Sequence, residues 1–436
     1  MVTSRRKNLM DLTIEGKAWI QGSFKQCCIG INQGRISEIK KTLKGDEHID
    51  VGHQVILPSG IDVHVHFRDP GFPHKEDFYT GSLAAAFGGI TCVGDMPNTQ
   101  PATISKQTLV DKQEIAQKKS VVDFGLYAGI TNQNWEQASD LSSFCTGWKI
   151  YLGSSTNALL LQMEHLADAL SAFQSTKKPV FVHAEDESCL QKHSFNSMNL
   201  HDHLRSRPSQ CEEYALSRIL RIAKEVTTPI HICHLSSAEG AELMRHRPSH
   251  VTVGCTPHHV LCDVDHVTGP DQWWKVNPPI RSSFDRQNLW QAISEGVIDV
   301  MESDHAPHSL QEKEKTFADA PCGIPGVETM YPLLLGLVHQ NHITMERVMQ
   351  LICQHPARLL GIPKGSIAVG HDADLVVVDL QHPEKITAES LHSNCGWTPY
   401  EGRKGVFPSM VFLRGKTLIA DGELLQKPGC GQYIGG

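Results

Sequence analysis

The sequence lacks the features that would place it in a membrane or on nucleic acid. Its 436 residues contain no apolar run close to the roughly 20 residues that a membrane-spanning helix needs. Basic residues do not outnumber acidic ones, 40 against 48, so there is no positive excess of the kind that favours nucleic acid. The basic start, MVTSRRKNLM, is followed by no apolar stretch, which argues against a signal peptide. We therefore expect a protein that binds neither membranes nor nucleic acid.

Paired cysteine motifs are absent as well. The 13 cysteines are odd in number and scattered, and none form a CxxC motif. The only adjacent pair is Cys27-Cys28. In a long chain without a secretory signal, this usage is typical of reduced, buried thiols, so we predict a cytoplasmic protein.

What the sequence does contain, from about residue 56 onward, is an alternation of short β-branched runs with helical stretches. Strands are predicted at 60–67, 89–96, 121–129, 147–153, 179–185, 229–235, 250–256 and 296–304. Helices are predicted at 105–120, 158–174, 211–226 and 283–296, with a helix and exit turn at 353–365. Eight strands with helical crossovers indicate an α/β protein with a (β/α)₈ TIM-like barrel, although a doubly wound open sheet would give a similar pattern.

The two chain ends differ from this middle part. Both carry short alternating runs separated by glycine turns, and neither could enclose a core alone. We therefore predict a small β-sandwich built from both ends, with residues 1–57 and 362–436 flanking a barrel at 58–361.

The stretch GIDVHVHFRDPG places polar residues in phase along an apolar strand. Residues two apart in a strand point to the same face, so His64 and His66 project together. Arg68, also in phase, follows the strand end, where barrel active sites lie. Two imidazoles at this spacing suit a metal ion, although hydrogen-bonded core histidines would read the same way.

Other predicted strands carry the same chemistry near their ends. His183 ends the fifth strand, and Asp304 ends the eighth. In the sixth, His234 lies nearer the end than His231, so His234 is the better ligand and His231 is interpreted as structural. Lys149 stands inside the apolar fourth strand, where a lysine usually has an acidic partner or a depressed pKa. Convergence of these side chains predicts a metal site.

Two segments carry a resemblance to a known family. PSGIDVHVHFRDPGFPHKEDF and ESDHAPHSLQEKEK resemble the cyclic amidohydrolases of the amidohydrolase superfamily, and among them the longer type of dihydroorotase. The resemblance extends over nearly the whole chain and implies a (β/α)₈ barrel with two zinc ions, which agrees with the fold predicted above.

The resemblance implies six metal-binding positions, namely His64, His66, Lys149, His183, His234 and Asp304. His64 and His66 would bind the more buried zinc with Asp304, and the other two histidines the more exposed one. Lys149 matches a lysine that becomes a carbamate and bridges both ions. An anionic carbamate suits that position, since an ammonium beside two Zn²⁺ ions would be electrostatically unfavourable.

The reaction implied is the reversible cyclisation of N-carbamoyl-L-aspartate to L-dihydroorotate and water, through a zinc-bound hydroxide, in de novo pyrimidine (UMP) biosynthesis. Asp304 would move the proton as the catalytic acid and base. The matching substrate contacts are Arg68, Asn98, Asn277, His308, Cys322 and Gly323. Arg68 could clamp a carboxylate with two hydrogen bonds, or it could pair with Asp69 or Glu76 and only hold its loop.

The chain departs from the family pattern at one position. Many relatives read Glu-Val-x-Pro-His-His after the seventh strand, whereas this chain reads GCTPHH with Gly254 in place of the acid. A role for that glutamate is therefore not carried over, and His258 and His259 are interpreted as supporting residues.

Two other functions fit the same motifs. One is another cyclic amidohydrolase, an allantoinase or a dihydropyrimidinase, which would keep the metal-binding residues. The other is a catalytically inactive relative that serves as a scaffold. Such relatives typically lose metal-binding residues, whereas all six positions are retained here. The resemblance is also compatible with a homodimer and with association with aspartate transcarbamoylase. The polar, histidine-rich stretch 189–210 is either a loop that covers the substrate or a packed surface excursion.

Overall fold

The strands of the protein are divided between two large sheets. The structure, a computed structural model, describes residues 9–154 and 159–435. In chain order the strands are β1 (Met10–Ile20), β2 (Ser23–Asn32), β3 (Arg35–Lys40), β4 (Gly45–Pro58), β5 (Gly60–Val65), β6 (Ile90–Asp95), β7 (Asp123–Ile130), β8 (Gly147–Tyr151), β9 (Val180–His183), β10 (Ile230–Ile232), β11 (Val251–Cys255), β12 (Val300–Met301), β13 (Leu375–Val378), β14 (Glu384–Lys385), β15 (Lys404–Gly405), β16 (Pro408–Leu413), β17 (Lys416–Ala420) and β18 (Glu423–Leu424).

The barrel is formed by β5 to β12, which pair in sequence order and run parallel. A parallel bridge between Val65, at the end of β5, and His305, just beyond β12, joins the first strand to the last. The predicted (β/α)₈ barrel is therefore confirmed, and the open sheet is excluded by this closing bridge.

Helices connect most barrel strands. They are α1 (Phe78–Phe87), α2 (Lys106–Lys119), α3 (Leu166–Phe173), α4 (Glu187–His193), α5 (Leu200–Ser206), α6 (Ser209–Ala223), α7 (Ala238–Met244), α8 (Pro257–Leu261), α9 (Ser283–Ser294), α10 (Leu310–Lys313), α11 (Val327–His339), α12 (Met345–Met349) and α13 (His355–Leu360). Short 3₁₀ segments lie at Trp135–Phe144, Met163–His165, Gln174–Thr176, Asp271–Trp274 and Ala388–Ser390, and a π-turn at Gln350–Gln354 precedes α13.

Local capping explains where the predicted helices begin. The Ser105 side chain accepts a hydrogen bond from the backbone N–H of Thr108, and the Thr108 side chain accepts one from the backbone N–H of Ser105. This capping box starts α2 where the sequence predicts it. The helix predicted over 158–174 is wrong in its first half. Leu160 pairs with Tyr151 in a β-bridge, so α3 begins only at Leu166, and residue 158 lies outside the described residues.

The chain ends build one unit, as predicted. Their strands form a continuous eight-stranded sheet in the order β18-β17-β16-β13-β4-β1-β2-β3, with β13 inserted between β4 and β16. Along β13, Leu375 and Val377 pack into this sheet's own core, whereas Val376 and Val378 pack into the core of the barrel. Successive side chains of β13 thus point alternately into the two cores, and this packing holds the end sheet against the barrel. Residues 1–8 of the predicted segment 1–57 lie outside the described residues.

Other parts of 362–436 also contact the barrel. Trp397 Nε1 donates to the carbonyl oxygen of His308, which follows the carboxyl end of β12. Tyr433 forms a bridge with Phe124 on β7. Within the described ranges, the structure contains no helix of the length and apolarity needed to cross a membrane.

Candidate active site at the carboxyl ends of the barrel strands

One cavity brings nearly all the predicted site residues together. It has a volume of about 290 Å³ and lies beyond the carboxyl ends of the barrel strands. Its walls include His64, His66, Arg68, Asn98, Tyr151, His183, His234, Val276, Asn277, Asp304, Ala306, His308, Pro321, Cys322 and Gly323. Lys149, on β8, is fully buried below it.

The two histidines of the HxH motif converge on Asp304. Nε2 of His64 lies 3.4 Å from Oδ1 of Asp304, and Nε2 of His66 lies 3.2 Å from the same oxygen. Asn98 Oδ1 can only accept, so Nδ1 of His66 donates to it at 2.5 Å, which leaves Nε2 with its lone pair. Burial lowers the pKa of His66 to about 4, so this imidazole is neutral. The arrangement is that of two nitrogen donors and one oxygen donor around a common point.

A second pair of imidazoles lies across the cavity. Nδ1 of His183 is 3.2 Å from Nε2 of His234, and the other nitrogen of His183 donates to Oε2 of Glu185 at 2.8 Å. Glu185 is held by both the Nε and NH2 groups of Arg207. Burial lowers the pKa of His183, and burial together with His183 lowers the pKa of His234 well below the usual value. Both rings are therefore neutral and can offer lone pairs.

Lys149 has an unusual environment for a fully buried lysine. Its Nζ lies 3.1 Å from Sγ of Cys233 and 4.9 Å from the ring centre of Tyr151. Within the described part of the chain, no carboxylate lies within ion-pair distance of it. The acidic partner expected of an ordinary core lysine is thus not found among these residues.

Another part of the cavity wall is polar and cationic. The guanidinium of Arg68 donates to the carbonyl oxygen of Pro307 at 3.2 Å and lies 3.1 Å from Nε2 of His308. Asp69 pairs with Lys119 at 2.8 Å instead, and Glu76 is occupied by Thr80 and Ser393. The loop-holding alternative for Arg68 is therefore not what the structure shows.

The remaining predicted contacts lie on two loops that meet at this wall. Asn277 Oδ1 accepts from Nε2 of His203 at 3.0 Å and lies 3.6 Å from Sγ of Cys322. Gly323 has φ +144°, and a Cβ there would lie 2.3 Å from the carbonyl oxygen of Ala306, so no other residue fits. Its N–H donates to the carbonyl oxygen of Lys275 at 2.9 Å, and its carbonyl oxygen accepts from Nζ of Lys313 at 3.0 Å, so both backbone groups hold the loop in place.

Comparison with known proteins agrees with this geometry. The amidohydrolase family matches residues 55–418. The chain is 35% identical over 440 residues to a dihydroorotase of Methanosarcina mazei, covering 96% of each, and 38% identical over 399 residues to a dihydroorotase of Halobacterium salinarum, covering 91% of this chain and 93% of that one. The solved structure of L-hydantoinase (dihydropyrimidinase) from Arthrobacter aurescens matches with a TM-score of 0.92 and 26% identity, over 98% of this chain and 99% of that one.

The chain belongs to the amidohydrolase family. It is accordingly a hydrolase, and the cavity above the barrel is the place where such barrels hold their chemistry. The family implies bound metal, and the donors present fit one. His64, His66 and Asp304 offer ligand atoms that all lie within 4.8 Å of one another, and Nδ1 of His234 finds no hydrogen-bond partner within residues 9–154 and 159–435. Neutral imidazoles with a carboxylate are ligands that zinc accepts.

Three residues of this amidohydrolase site hold left-handed backbone conformations without being glycine. They are Arg68 at φ +61°, His234 at φ +37° and Asp304 at φ +47°. Such conformations cost of order 1–3 kcal/mol each and persist where the surrounding structure enforces them, commonly at functional sites. The strain supports a functional role for these three residues.

Two residues at the site are not found by the sequence argument. Tyr151 lines the cavity, is 3% exposed, and its hydroxyl has no partner among the described residues. Burial raises its pKa well above the usual value, so it remains a hydrogen-bond donor. Its position two residues after Lys149, in phase along β8, is a signal that could have identified it. The second missed residue is Glu302, just beyond β12, which is fully buried and lies 3.4 Å from Nδ1 of His64.

The histidines interpreted as structural are buried outside the cavity wall. Nδ1 of His231 lies 2.8 Å from Oγ1 of Thr252, and Nδ1 of His259 lies 2.8 Å from Oγ1 of Thr256. His258 is buried too, and its ring nitrogens have no partner within the described chain. None of the three lines the cavity.

The stretch 189–210 is a packed excursion made of α4, α5 and the start of α6. His203 supports Asn277, and Arg207 supports Glu185, so the stretch braces the site from the side. Cys189 and Cys211 form a disulfide between α4 and α6. The prediction that all thiols are reduced is therefore wrong for this pair, because the fold brings together two cysteines that are 22 residues apart in sequence.

Proposed function

We propose that the protein is a zinc-dependent dihydroorotase that interconverts N-carbamoyl-L-aspartate and L-dihydroorotate in de novo pyrimidine biosynthesis. The observation that carries the proposal is Arg68. Its guanidinium faces the cavity beside His308 and has no carboxylate partner within the described ranges. A substrate carboxylate would pair with this guanidinium through charge-assisted hydrogen bonds.

The proposed metal centre has two Zn²⁺ ions. His64, His66 and Asp304 would hold one ion, His183 and His234 would hold the other, and a carbamate on Lys149 would bridge them. A buried lysine without a described acidic partner, close to the four histidines of the cavity, supports this assignment. When bound, the zinc ions would make a water molecule acidic enough to react near neutral pH and would polarise the substrate carbonyl.

The chain's own residues perform the remaining steps. In the hydrolytic direction, Asp304 accepts the proton of the attacking water and delivers it to the leaving ring nitrogen. The Tyr151 hydroxyl donates to the carbonyl oxygen as negative charge develops there. Arg68 and His308 hold the carboxylate, with Asn98, so that the ring keeps one orientation.

The loop residues would recognise the ring itself. Asn277 and the backbone near Cys322 and Gly323 lie on the wall of the cavity and would contact the polar edge of the ring. Because most of the polar groups at this wall are already hydrogen-bonded to the chain, the wall is preorganised before substrate binds.

The second candidate is a dihydropyrimidinase or hydantoinase, favoured by the fold match to that enzyme from Arthrobacter aurescens. Its rings lack the carboxylate that Arg68 would hold. An inactive scaffold is not favoured, since all six proposed metal-binding residues are retained. Zinc analysis with assays of L-dihydroorotate, allantoin and dihydrouracil separates these functions. Turnover of dihydroorotate alone supports the proposal, and preferential turnover of either other ring contradicts it.

The proposal includes a cytoplasmic location, which the cysteine usage predicts, and two assembly states with which the resemblance is compatible, a homodimer and an association with aspartate transcarbamoylase. Sedimentation of the purified protein, alone and mixed with that enzyme, tests the two assembly states.

A further inference from the structure

The carboxylate of Glu302 lies below the metal ligands and touches three of the histidines around it. Its Oε2 is 3.4 Å from Nδ1 of His64 and 3.4 Å from Nε2 of His231. Its Oε1 accepts a hydrogen bond from the backbone N–H of His234. The side chain is fully buried, and Sγ of Cys233 also lies within 4.8 Å of its carboxylate.

These contacts reach both halves of the proposed metal centre. Nδ1 of His64 finds no acceptor with hydrogen-bond geometry in the described chain, and Glu302 is the carboxylate nearest to it. A proton held on Nδ1 toward Glu302 leaves the lone pair of His64 on Nε2, which faces Asp304. A carboxylate behind a ligating histidine fixes its tautomer and ring orientation.

The contact with His234 acts on the backbone. His234 has φ +37°, a conformation that non-glycine residues rarely adopt. The Glu302 carboxylate ties down the N–H of this strained residue and so fixes where its imidazole points. One buried side chain therefore orients a ligand on each side of the site.

Gly254, on β11, provides the space that this carboxylate occupies. Its backbone has no positive φ, so conformation does not explain the glycine. A Cβ at this position would lie 2.7 Å from both Cδ and Oε1 of Glu302 and 2.8 Å from Nε2 of His231. Any other residue would push the carboxylate or the histidine away.

We propose that Glu302 is a positioning residue for the metal centre, holding His64 and His234 in their ligating orientations, and that Gly254 is required to admit it. The inference rests on the metal centre of the proposed function and extends it to residues that do not line the cavity. Glu302 would not contact substrate, so its effect must pass through the metal ligands.

The test measures zinc affinity in the absence of substrate. In Glu302→Gln, the carboxylate charge is lost while size is kept, and we expect zinc affinity to fall about ten- to a hundredfold, as for other residues that support metal ligands. The kcat should fall with zinc loss, and KM at saturating zinc should be unchanged. Glu328→Gln is the matched control, because Glu328 is a buried glutamate bonded to His392 away from the metal ligands. Its zinc affinity should equal that of the wild type.

Two further variants keep the test decisive if Glu302→Gln folds poorly. Gly254→Ala keeps Glu302 but places a methyl group against its carboxylate. We expect this variant to lower the zinc affinity to a similar extent. The double variant Gly254→Glu/Glu302→Ala should recover most of the affinity, since a glutamate carries its carboxyl carbon two bonds beyond Cβ, where Cδ of Glu302 now lies. Circular dichroism and melting curves of the zinc-free proteins establish that each is folded.

The outcomes separate this inference from the proposed function. Wild-type zinc affinity in both Glu302→Gln and Gly254→Ala would overturn the positioning role, as would an equal loss in the Glu328→Gln control. A wild type that binds zinc but does not turn over dihydroorotate would overturn the proposed reaction and leave the positioning role to be read from the affinities. A wild type that binds no zinc would overturn both.

Discussion

The carboxylate of Glu185 lies 2.8 Å from Nε2 of His183. It therefore fixes the lone pair of His183 on Nδ1, which faces His234 at 3.2 Å. Arg207 in turn neutralises Glu185, whose side chain is fully buried. The chain Arg207–Glu185–His183 thus begins near the surface and ends at a proposed zinc ligand.

Replacing Arg207 with Met should weaken this side of the centre. Breaking one partner of a buried ion pair typically costs 3–5 kcal/mol, so the melting temperature should fall. Zinc content, measured after mild chelation, should drop from two ions toward one, because only the His183 side loses its support. The control is Arg205→Met, whose exposed side chain pairs with Asp202. Unchanged stability and two retained zinc ions in Arg207→Met would contradict this role.

Lys149→Met tests the bridging carbamate. Methionine keeps the length and apolar packing of the buried side chain but cannot react with carbon dioxide. We expect a folded protein that binds zinc weakly, with nearly all activity lost. Metal analysis, melting curves and assays on the same preparation check this. A variant with two tightly bound zinc ions and near-normal turnover would eliminate the carbamate from the account.

Arg68→Lys tests the carboxylate clamp. Lysine keeps the charge but loses the planar fork, so one or more charged hydrogen bonds are lost. At roughly 1.5–3 kcal/mol per such bond, kcat/KM for dihydroorotate should fall by about ten- to a hundredfold. Zinc content should stay constant. Arg68→Met should cost more and should narrow the preference for dihydroorotate over dihydrouracil. If substitution lowers only the melting temperature and leaves that preference intact, Arg68 holds its loop rather than the substrate.

Tyr151→Phe should separate activity from stability. The Tyr151 hydroxyl is buried without a described partner, and such a group is costly in the folded state, so its removal should leave the melting temperature equal or higher. Loss of a donor to a developing oxyanion typically costs about 10²-fold or more in kcat. Zinc content should not change. A variant with wild-type kcat would show that the hydroxyl does not reach the reacting oxygen.

Lys364→Met should affect stability alone. Nζ of Lys364 lies 2.7 Å from Asp123 on the barrel strand β7 and 2.6 Å from Asp374 beside the end sheet. Asp123 would still pair with Arg414, but the buried carboxylate of Asp374 would lose its cation, which should cost about 3–5 kcal/mol. The kcat/KM of the folded protein, assayed well below its melting temperature, should match the wild type. The exposed Lys416→Met should change neither quantity, and a large kinetic effect of Lys364→Met would link this cluster to the active site.

Part of the candidate site follows from strand periodicity, whereas the role of Lys149 and the substrate contacts other than Arg68 came only from the family resemblance. His64, His66 and Arg68 are in phase along β5, and Asp304 follows β12, so closing the barrel brings them to one end. The sequence also indicates the barrel itself, because eight strands with helical crossovers are compatible with few folds other than a barrel or a doubly wound open sheet. Boundaries were predicted less well, as at 158–174, where a β-bridge replaces a helical turn.

The sequence pattern does not predict contacts between side chains on neighbouring strands. Glu302 occupies the space above Gly254 only because β11 pairs with β12 in a particular register, Gly254 opposite Val300. Tyr151 in an apolar strand reads as a core residue until its hydroxyl is found without a partner. The pairing of Cys189 with Cys211 depends on how α4 packs against α6, which cysteine spacing does not encode.

The central claim is that this cavity selects a ring that carries a carboxylate. The most direct measurement is the ratio of kcat/KM for L-dihydroorotate to kcat/KM for dihydrouracil, taken on the zinc-loaded wild type at one pH. A carboxylate held by Arg68 through charged hydrogen bonds predicts a ratio of at least about ten to a hundred in favour of dihydroorotate. A ratio at or below one would contradict the account and assign the protein to the dihydropyrimidinases.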